Sequence, residues 1–233
     1  MAIYCMSDIH GDFERYKKML AAIDLMDTDL LFVIGDVVDR GTGSMEILKD
    51  MMMRSNVIPM IGNHEYMALN CLEFLTEEIT EESISRMDPE LMEGILQWQE
   101  VGGQATMDSF RKLSQEDKED ILEYLSEFTL VEEVEAGGKS FVLAHSGLLN
   151  FDEERDLDSY EPYEVLFERP DYDRRYFKDK YIVSGHVPTR NIEENPSPDR
   201  IYINSGNIAI DCGCGYGGTL GAIRLDDLKE FYV

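Results

Sequence analysis

The stretch Leu30-Leu31-Phe32-Val33-Ile34-Gly35-Asp36-Val37-Val38-Asp39-Arg40-Gly41 decides the architecture. Its first five residues form a short apolar run rich in branched and aromatic side chains, the pattern of a buried strand. The run stops at a glycine, and two carboxylates and a guanidinium follow in what reads as a tight turn. Crowding Asp36, Asp39 and Arg40 just past a strand end carries desolvation and charge-repulsion costs. A metal cation or a phosphate would offset them. A polar βα loop whose aspartate caps the next helix accounts for one of the three residues and leaves two unexplained.

The neighbouring chain repeats the device. Ala2 to Met6 is a second apolar run and leads into Ser7-Asp8-Ile9-His10-Gly11-Asp12. Asp12 can cap a helix in which Phe13, Tyr16, Leu20 and Ile23 recur at helical spacing. After the central stretch, Ser44 to Arg54 predicts a helix with Met51 to Met53 as packing residues. Val57 to Ile61 predicts a third strand, ending in Gly62-Asn63-His64-Glu65. From Met67 to Phe128 the texture changes to acidic amphipathic helices, read as an insert with a solvated charged face. Within it, Ser114-Gln115-Glu116-Asp117 resembles a capping box, and Ile121, Leu122, Leu125 and Phe128 face inward. Leu130 to Glu135 and Lys139 to Leu143 flank Gly137-Gly138, a hairpin signal, and the second arm ends in Ala144-His145-Ser146-Gly147. Asn150 to Lys180 reads as a long polar, aromatic loop with one helical turn around Val165 to Phe167. Tyr181 to Ser184 is a strand ending in Gly185-His186, and Ile201 to Val233 reads as strands with glycine-rich turns. With no repeat and no linker, an α/β fold forming a single domain over residues 1–233 is expected, with the helical insert at about 67–128.

Composition narrows the partners. At 43% apolar residues the chain can build a real core. Its formal charge of −27, from 48 acids against 21 bases, repels polyanions and argues against nucleic-acid binding through a basic footprint. No stretch reads as a signal peptide or a bilayer span, so no membrane partner is expected. The four cysteines show neither paired spacing nor a disulfide framework, which suits a reducing, cytoplasmic setting. Cys5 reads as a core residue, while Cys212 and Cys214 are open to packing or to metal binding.

Asp8 and His10, Asp36, Asn63, His145 and His186 each fall just past a strand end. In an α/β sheet the strand C-termini gather along one edge, where ligands bind. A lone histidine is ordinarily structural, but here all four, His64 included, occupy such positions. Carboxylate, imidazole and amide-oxygen donors suit borderline divalent ions such as Mn, Fe or Zn. Six donor residues exceed the needs of one four-coordinate ion, and a carboxylate such as Asp36 can bridge two. Two ions ~3.5–4 Å apart are the usual device for in-line displacement at phosphorus.

Asp8-Ile9-His10-Gly11, Gly35-Asp36-Val37-Val38-Asp39-Arg40-Gly41 and Gly62-Asn63-His64-Glu65 resemble the signature of the phosphoprotein phosphatase family of calcineurin-like metallophosphoesterases. His145 in Ala-His-Ser-Gly and His186 in Ser-Gly-His complete the pattern in the right order. The resemblance runs from about residue 3 to 225 and looks most like the bacterial and phage branch, which also includes symmetrical diadenosine tetraphosphate hydrolases. It implies a β-sandwich flanked by helices, with the active site at strand C-terminal ends. It implies that Asp8, His10 and Asp36 hold one divalent metal, manganese first and iron or zinc as alternatives. Asp36, Asn63, His145 and His186 would hold the second. His64 would be the general acid, oriented by Asp39, and Arg40 would clamp the phosphate oxygens. Arg169 best fits the second phosphate arginine, with Arg174 and Arg175 as rivals. Ser7 and Val187 depart from the family pattern, where glycine and threonine are usual.

Three functions follow for comparison. The leading one is a phosphomonoesterase acting on phosphoserine and phosphothreonine by attack of a hydroxide held between the metals, so the partner is a phosphorylated protein or a small phosphoester. The alternative is symmetrical hydrolysis of a dinucleoside polyphosphate. The third, a metal-stabilised protein that only senses phosphate, is disfavoured by the complete ligand set together with His64 and Asp39. Oligomeric state is not legible.

Overall fold

The computed structural model describes residues 1–76, 80 and 87–233; the parts of the expected insert at 77–79 and 81–86 lie outside the described residues. Two five-stranded sheets form the frame. In the first, β1 (Ile3–Met6), β2 (Leu30–Ile34) and β3 (Val57–Met60) run parallel, joined by α1 (Phe13–Ala22) and α2 (Ser44–Met52). Pro59 interrupts no ladder of consequence because β3 is the edge strand. On the other side, β9 (Gly221–Arg224) pairs antiparallel with β1, and β10 (Lys229–Tyr232) with β9. The second sheet has the order β4-β5-β6-β8-β7, with β4 (Val131–Ala136), β5 (Lys139–Ala144), β6 (Lys180–Ser184), β7 (Tyr202–Asn204) and β8 (Asn207–Ala209). Here β5, β6 and β8 are the parallel strands.

The period-two alternation of strands explains how the sheets pack. Ile3, Cys5, Phe32, Ile34 and Met60 point to one side and meet Phe141, Leu143, Val183 and Ile208 of the second sheet. Tyr4, Met6, Leu31 and Val33 point to the other side and join Tyr16, Met19, Leu48 and Met51 under the helices. Both faces of the first sheet are therefore buried, which is why its strands read as unbroken apolar runs. The outcome is the expected β-sandwich flanked by helices. The four cysteines are free and buried. Cys5 and Cys212 pack between the sheets, and the Cys214 thiol faces the Ile9 carbonyl at 3.5 Å.

Turn chemistry follows the sequence closely at one hairpin. Gly137 and Gly138 both adopt positive φ, +54° and +75°, the conformation a two-residue turn between right-twisted strands needs. In the long loop after β5 the helical turn lies earlier than expected, as α7 (Pro162–Leu166). Pro162 at the first helical position and the reciprocal Glu161–Glu164 cap set its start. Between β3 and β4 lie α3 (Asn63–Leu72), α4 (Pro89–Glu100), α5 (Gln104–Phe110) and α6 (Gln115–Ser126). Ser114 caps α6 by accepting from Asp117 N–H at 3.1 Å, and the Asp117 carboxylate reaches back to the Ser114 hydroxyl at 2.9 Å while its other oxygen accepts from Lys49 Nζ at 2.8 Å. Trp98, Met107, Phe110, Ile121 and Leu125 pack into the same apolar cluster as Leu48 and Leu72, so these helices lie over the first sheet.

Candidate metal and phosphate site

Six parallel strands, three from each sheet, converge on one edge. β1, β2 and β3 deliver Asp8, Asp36 and Asn63, while β5 and β6 deliver His145 and His186. The sixth, β8, delivers Asp211, a buried carboxylate that the sequence reading passed over in a tail taken as strands and turns. Its signal was there: Ile208-Ala209-Ile210-Asp211 is an apolar run ending in an acid, like the others. Asp8, His10, Asp36, Asp39, Arg40 and His186 all adopt positive φ between 49° and 74°. Non-glycine residues in the left-handed region cost roughly 1–3 kcal/mol each and concentrate where the surroundings over-determine them for function.

One such support is Glu65, fully buried in the first turn of α3. Its carboxylate accepts from four backbone N–H groups: Asp36 at 2.7 Å, Val37 at 2.8 Å, Val38 at 3.0 Å and Gly62 at 2.9 Å. It thereby ties the turn after β2 to the turn after β3. Glu65→Gln keeps the shape but sets an NH2 group against N–H donors. Because hydrogen bonds to a charged group are worth ~1.5–3 kcal/mol each, a loss of roughly 2–4 kcal/mol in urea unfolding is expected.

Asp36 lies at the centre. Its Oδ1 is 3.3 Å from His145 Nε2, and its Oδ2 is 3.7 Å from His10 Nε2 and 3.8 Å from His64 Nε2. Among the described residues, two sets of close donors share it: His10–Asp36–His64 and Asp36–His145–His186. Asn63 Oδ1 lies 3.0 Å from His145 Nε2 and 2.9 Å from His186 Nδ1. Asp8 accepts from the His186 N–H at 3.0 Å and is 4.0 Å from His10 Nε2.

These donors fit divalent metal ions. Nδ1 of His10 faces the Val38 carbonyl at 3.0 Å, and Nδ1 of His145 faces that of Ile34 at 2.9 Å. Those nitrogens donate, which leaves His10 Nε2 facing Arg40 Nη1 at 2.6 Å and turns His145 Nε2 toward the oxygens of Asp36 and Asn63. Carboxylate and amide oxygens gathered around buried imidazoles are a donor set for a divalent ion, and outer partners of this kind typically orient metal-binding imidazoles. The titration behaviour divides the imidazoles. Burial, with help from Arg40, pulls His10 down to about 3; burial and the His145 charge bring His186 to about 4. Both are neutral, the form that coordinates metal. Burial alone would lower His145, but Asp36 and Asp8 beside it push it up to about 10. Asp8 is raised by burial and by Asp211 and Asp36, and burial brings Asp211 up to about 6.

Beside this cluster stand the groups suited to phosphate chemistry. His64 Nδ1 meets Asp39 Oδ2 at 2.6 Å, leaving Nε2 on the side of Arg40 and Asp36. Burial opposes charge on His64, yet Asp36 and Asp39 outweigh it and raise its pKa. Arg40 Nη2 is 3.2 Å from His64 Nε2, Nη1 is 2.6 Å from His10 Nε2, and its guanidinium lies 4.1 Å from the Tyr216 ring centroid. A cavity of about 550 Å³ opens here, bounded by His10, Phe13, Arg40, Glu46 and Gly215. A larger one, about 640 Å³, lies at the far end of the first sheet near Tyr4 and Phe231 and touches none of these groups.

Arg169 donates to the Asn191 carbonyl at 2.8 Å, and its charge contributes to the lowering of His186. Arg174 instead lies over Tyr176, and Arg175 donates to the Lys178 carbonyl at 3.0 Å. The two departures from the family pattern are spatially separate. Ser7 packs against Gly185, where an added Cβ would come within 2.4 Å of its Oγ. Val187 points away into a small apolar cluster with Tyr172 and Ile192.

Comparison with known proteins agrees with this geometry. A relative named symmetrical bis(5'-nucleosyl)-tetraphosphatase, from Acidovorax sp. (strain JS42), is 29% identical over 151 residues, covering 64% of this chain and 45% of its own length. The same-named protein of Shewanella loihica is 40% identical over 67 residues, 28% of this chain and 24% of that protein. The chain thus spans less than half the length of these relatives. Among solved structures, a putative diadenosine tetraphosphatase superposes with a TM-score of 0.67 at 18% identity, over 100% of this chain and 92% of the other. A serine/threonine phosphatase from Saccharomyces cerevisiae gives 0.55 at 13% identity, over 97% and 72%. At such identities these likenesses speak for the fold. The family model for calcineurin-like phosphoesterases matches residues 1–208, and with that match the chain belongs to this family of metal-dependent hydrolases.

Proposed function

We propose that this protein hydrolyses the phosphoric anhydride of a dinucleoside polyphosphate, with His64 delivering the proton to the leaving phosphate. The observation that carries the reading is the His64–Asp39 pair, 2.6 Å apart, opening together with Arg40 onto a carboxylate shared by two sets of metal-type donors. The choice of substrate is supported by relatives named as symmetrical tetraphosphatases, and it moves the phosphoserine and phosphothreonine reading to second place. That second reading is supported by the Asp39-Arg40-Gly41 and Asn63-His64-Glu65 forms of the motifs.

Asp8, His10 and Asp36 would hold one divalent ion, and Asp36, Asn63, His145 and His186 the other. Such a pair, when bound, activates a water and neutralises phosphoryl charge. The chain supplies the rest. Arg40 places a planar two-pronged donor where charge develops on the phosphoryl oxygens. Asp39 fixes the proton of His64 on Nδ1, and burial of the pair excludes competing water. Protonated His64 then presents Nε2–H to the departing oxygen.

Purified, manganese-loaded protein assayed side by side on diadenosine tetraphosphate and on a phosphoserine peptide tests the substrate. ADP as the single nucleotide product, with kcat/KM at least about tenfold above that for the peptide, is the expected result; that factor is about 1.4 kcal/mol of discrimination. The reverse order would return the phosphoprotein reading to first place. The shared carboxylate has its own test: Asp36→Asn should lower metal content at both sites together, read by elemental analysis. Full metal content in that variant would rule out a bridging role.

A further inference from the structure

The acidic helical segment reaches into the site. Trp98, on α4 and fully buried, donates its indole N–H to Asp39 Oδ2 at 2.7 Å, the same oxygen that meets His64 Nδ1. Thr106, on α5 and also fully buried, donates to the other oxygen, Asp39 Oδ1, at 2.6 Å, and accepts from the Asp39 N–H at 2.9 Å. Between them the Gly102 carbonyl accepts from the Arg40 N–H at 3.0 Å. The glycines of this turn are dictated by closeness. A Cβ on Gly102, whose φ is +115°, would come within 2.8 Å of Arg40 Cγ, and one on Gly103 within 2.6 Å of the Trp98 indole.

Asp39 and Arg40 are consecutive left-handed residues, with φ of 74° and 65°, and Asp39 is completely buried. Nothing in their own sequence enforces that backbone. A buried carboxylate also needs its lone pairs satisfied, and an unmatched one would swing toward whatever donor remained. The segment Trp98 to Thr106 meets both needs, holding one donor on each oxygen and pinning the backbone on either side.

We propose that Trp98 and Thr106 are positioning residues for proton delivery, acting on His64 through Asp39. This rests on the reading of His64 as the proton donor. Trp98 is also a large core side chain, and a pure packing role would explain its burial. It would not explain an indole N–H aimed at the oxygen that holds His64, nor a threonine hydroxyl on the other oxygen. On this assignment the helical segment completes the acid side of the site from residues 59 and 67 positions away along the chain.

The test uses the manganese-loaded full chain and two substrates differing in leaving group, p-nitrophenyl phosphate and an alkyl phosphate. Trp98→Phe keeps most of the ring and removes the N–H; Thr106→Val keeps the shape and removes the hydroxyl. Each should lose about ten- to hundredfold in kcat on the alkyl ester, the range expected when a buried partner is left unmatched. On p-nitrophenyl phosphate the change should stay within about twofold, with KM nearly constant, because that leaving group needs little protonation. Thr106→Ser should recover most of the alkyl-ester activity. In a His64→Asn background either change should add less than about twofold, since residues acting as one unit are not additive. Equal losses on both substrates, tracking a fall in Tm, would reduce Trp98 and Thr106 to packing and overturn the proposal. If Trp98→Phe does not fold, Thr106→Val and its serine counterpart decide alone. A His64→Asn enzyme with no leaving-group dependence would instead remove the acid reading itself, and the two failures are told apart by that control.

Discussion

His64→Asn is expected to retain its metal and lose about 10²–10⁴-fold in kcat on a substrate with a poor leaving group, the usual worth of a positioned general acid. His64 follows the donor Asn63 and stands within the His10–Asp36–His64 set, so a ligand role is the competing account. The geometry separates the two. Nδ1 is committed to Asp39 at 2.6 Å, and Asp36 and Asp39 raise the pKa, so the ring carries a proton more readily than a free histidine does. A ligand must be neutral to coordinate; a donor must be charged. For the acid role the loss should grade with the basicity of the leaving group: small for p-nitrophenyl phosphate and for diadenosine tetraphosphate, whose leaving ADP is about as weak a base as p-nitrophenolate, and greatest for an alkyl ester. A uniform loss accompanied by depleted metal would mark His64 as a ligand.

Arg40→Ala should cost ~3–4 kcal/mol of transition-state stabilisation, or about 10²–10³ in kcat, the range for losing a fixed donor to developing charge in a dry site. Were Arg40 only a surface cation, its removal would change little, since exposed pairs are worth ~0–1 kcal/mol. Its setting argues otherwise. The guanidinium is held over Tyr216, its backbone N–H is pinned by Gly102, and both terminal nitrogens face the imidazoles of His10 and His64. Lysine should restore part of the activity only, because an ammonium cannot reproduce a planar two-pronged contact. Inhibition by inorganic phosphate should weaken in parallel, with Tm nearly unchanged. Normal turnover and normal phosphate inhibition in a folded Arg40→Ala enzyme would exclude the clamp.

Both variants act on groups that the chain advertises locally. An apolar run has to become a strand, and a carboxylate, amide or imidazole one or two residues past its end has to emerge at the sheet edge. Asp8, His10, Asp36, Asn63, His145 and His186 were legible for that reason, as was the sandwich, whose buried strands leave unbroken apolar runs. Asp211 obeys the same rule, but Gly213, Gly215, Gly217 and Gly218 beyond it give that segment the look of turns.

What the sequence could not disclose is everything that depends on groups far apart along the chain. Glu65 is one acid among many until four backbone N–H groups close on it, and Trp98 reads as a core aromatic until its indole meets Asp39. The left-handed backbone at six of the site residues is likewise a tertiary fact, since their side chains permit that conformation without requiring it. The same holds for the arginines at 169, 174 and 175, which lie within seven residues of one another and differ only in what the folded loop sets against each. Local pattern settled which chemistry could assemble at the sheet edge. Burial and long-range hydrogen bonding decided which residues hold it in place, because those contacts form only when distant segments pack together.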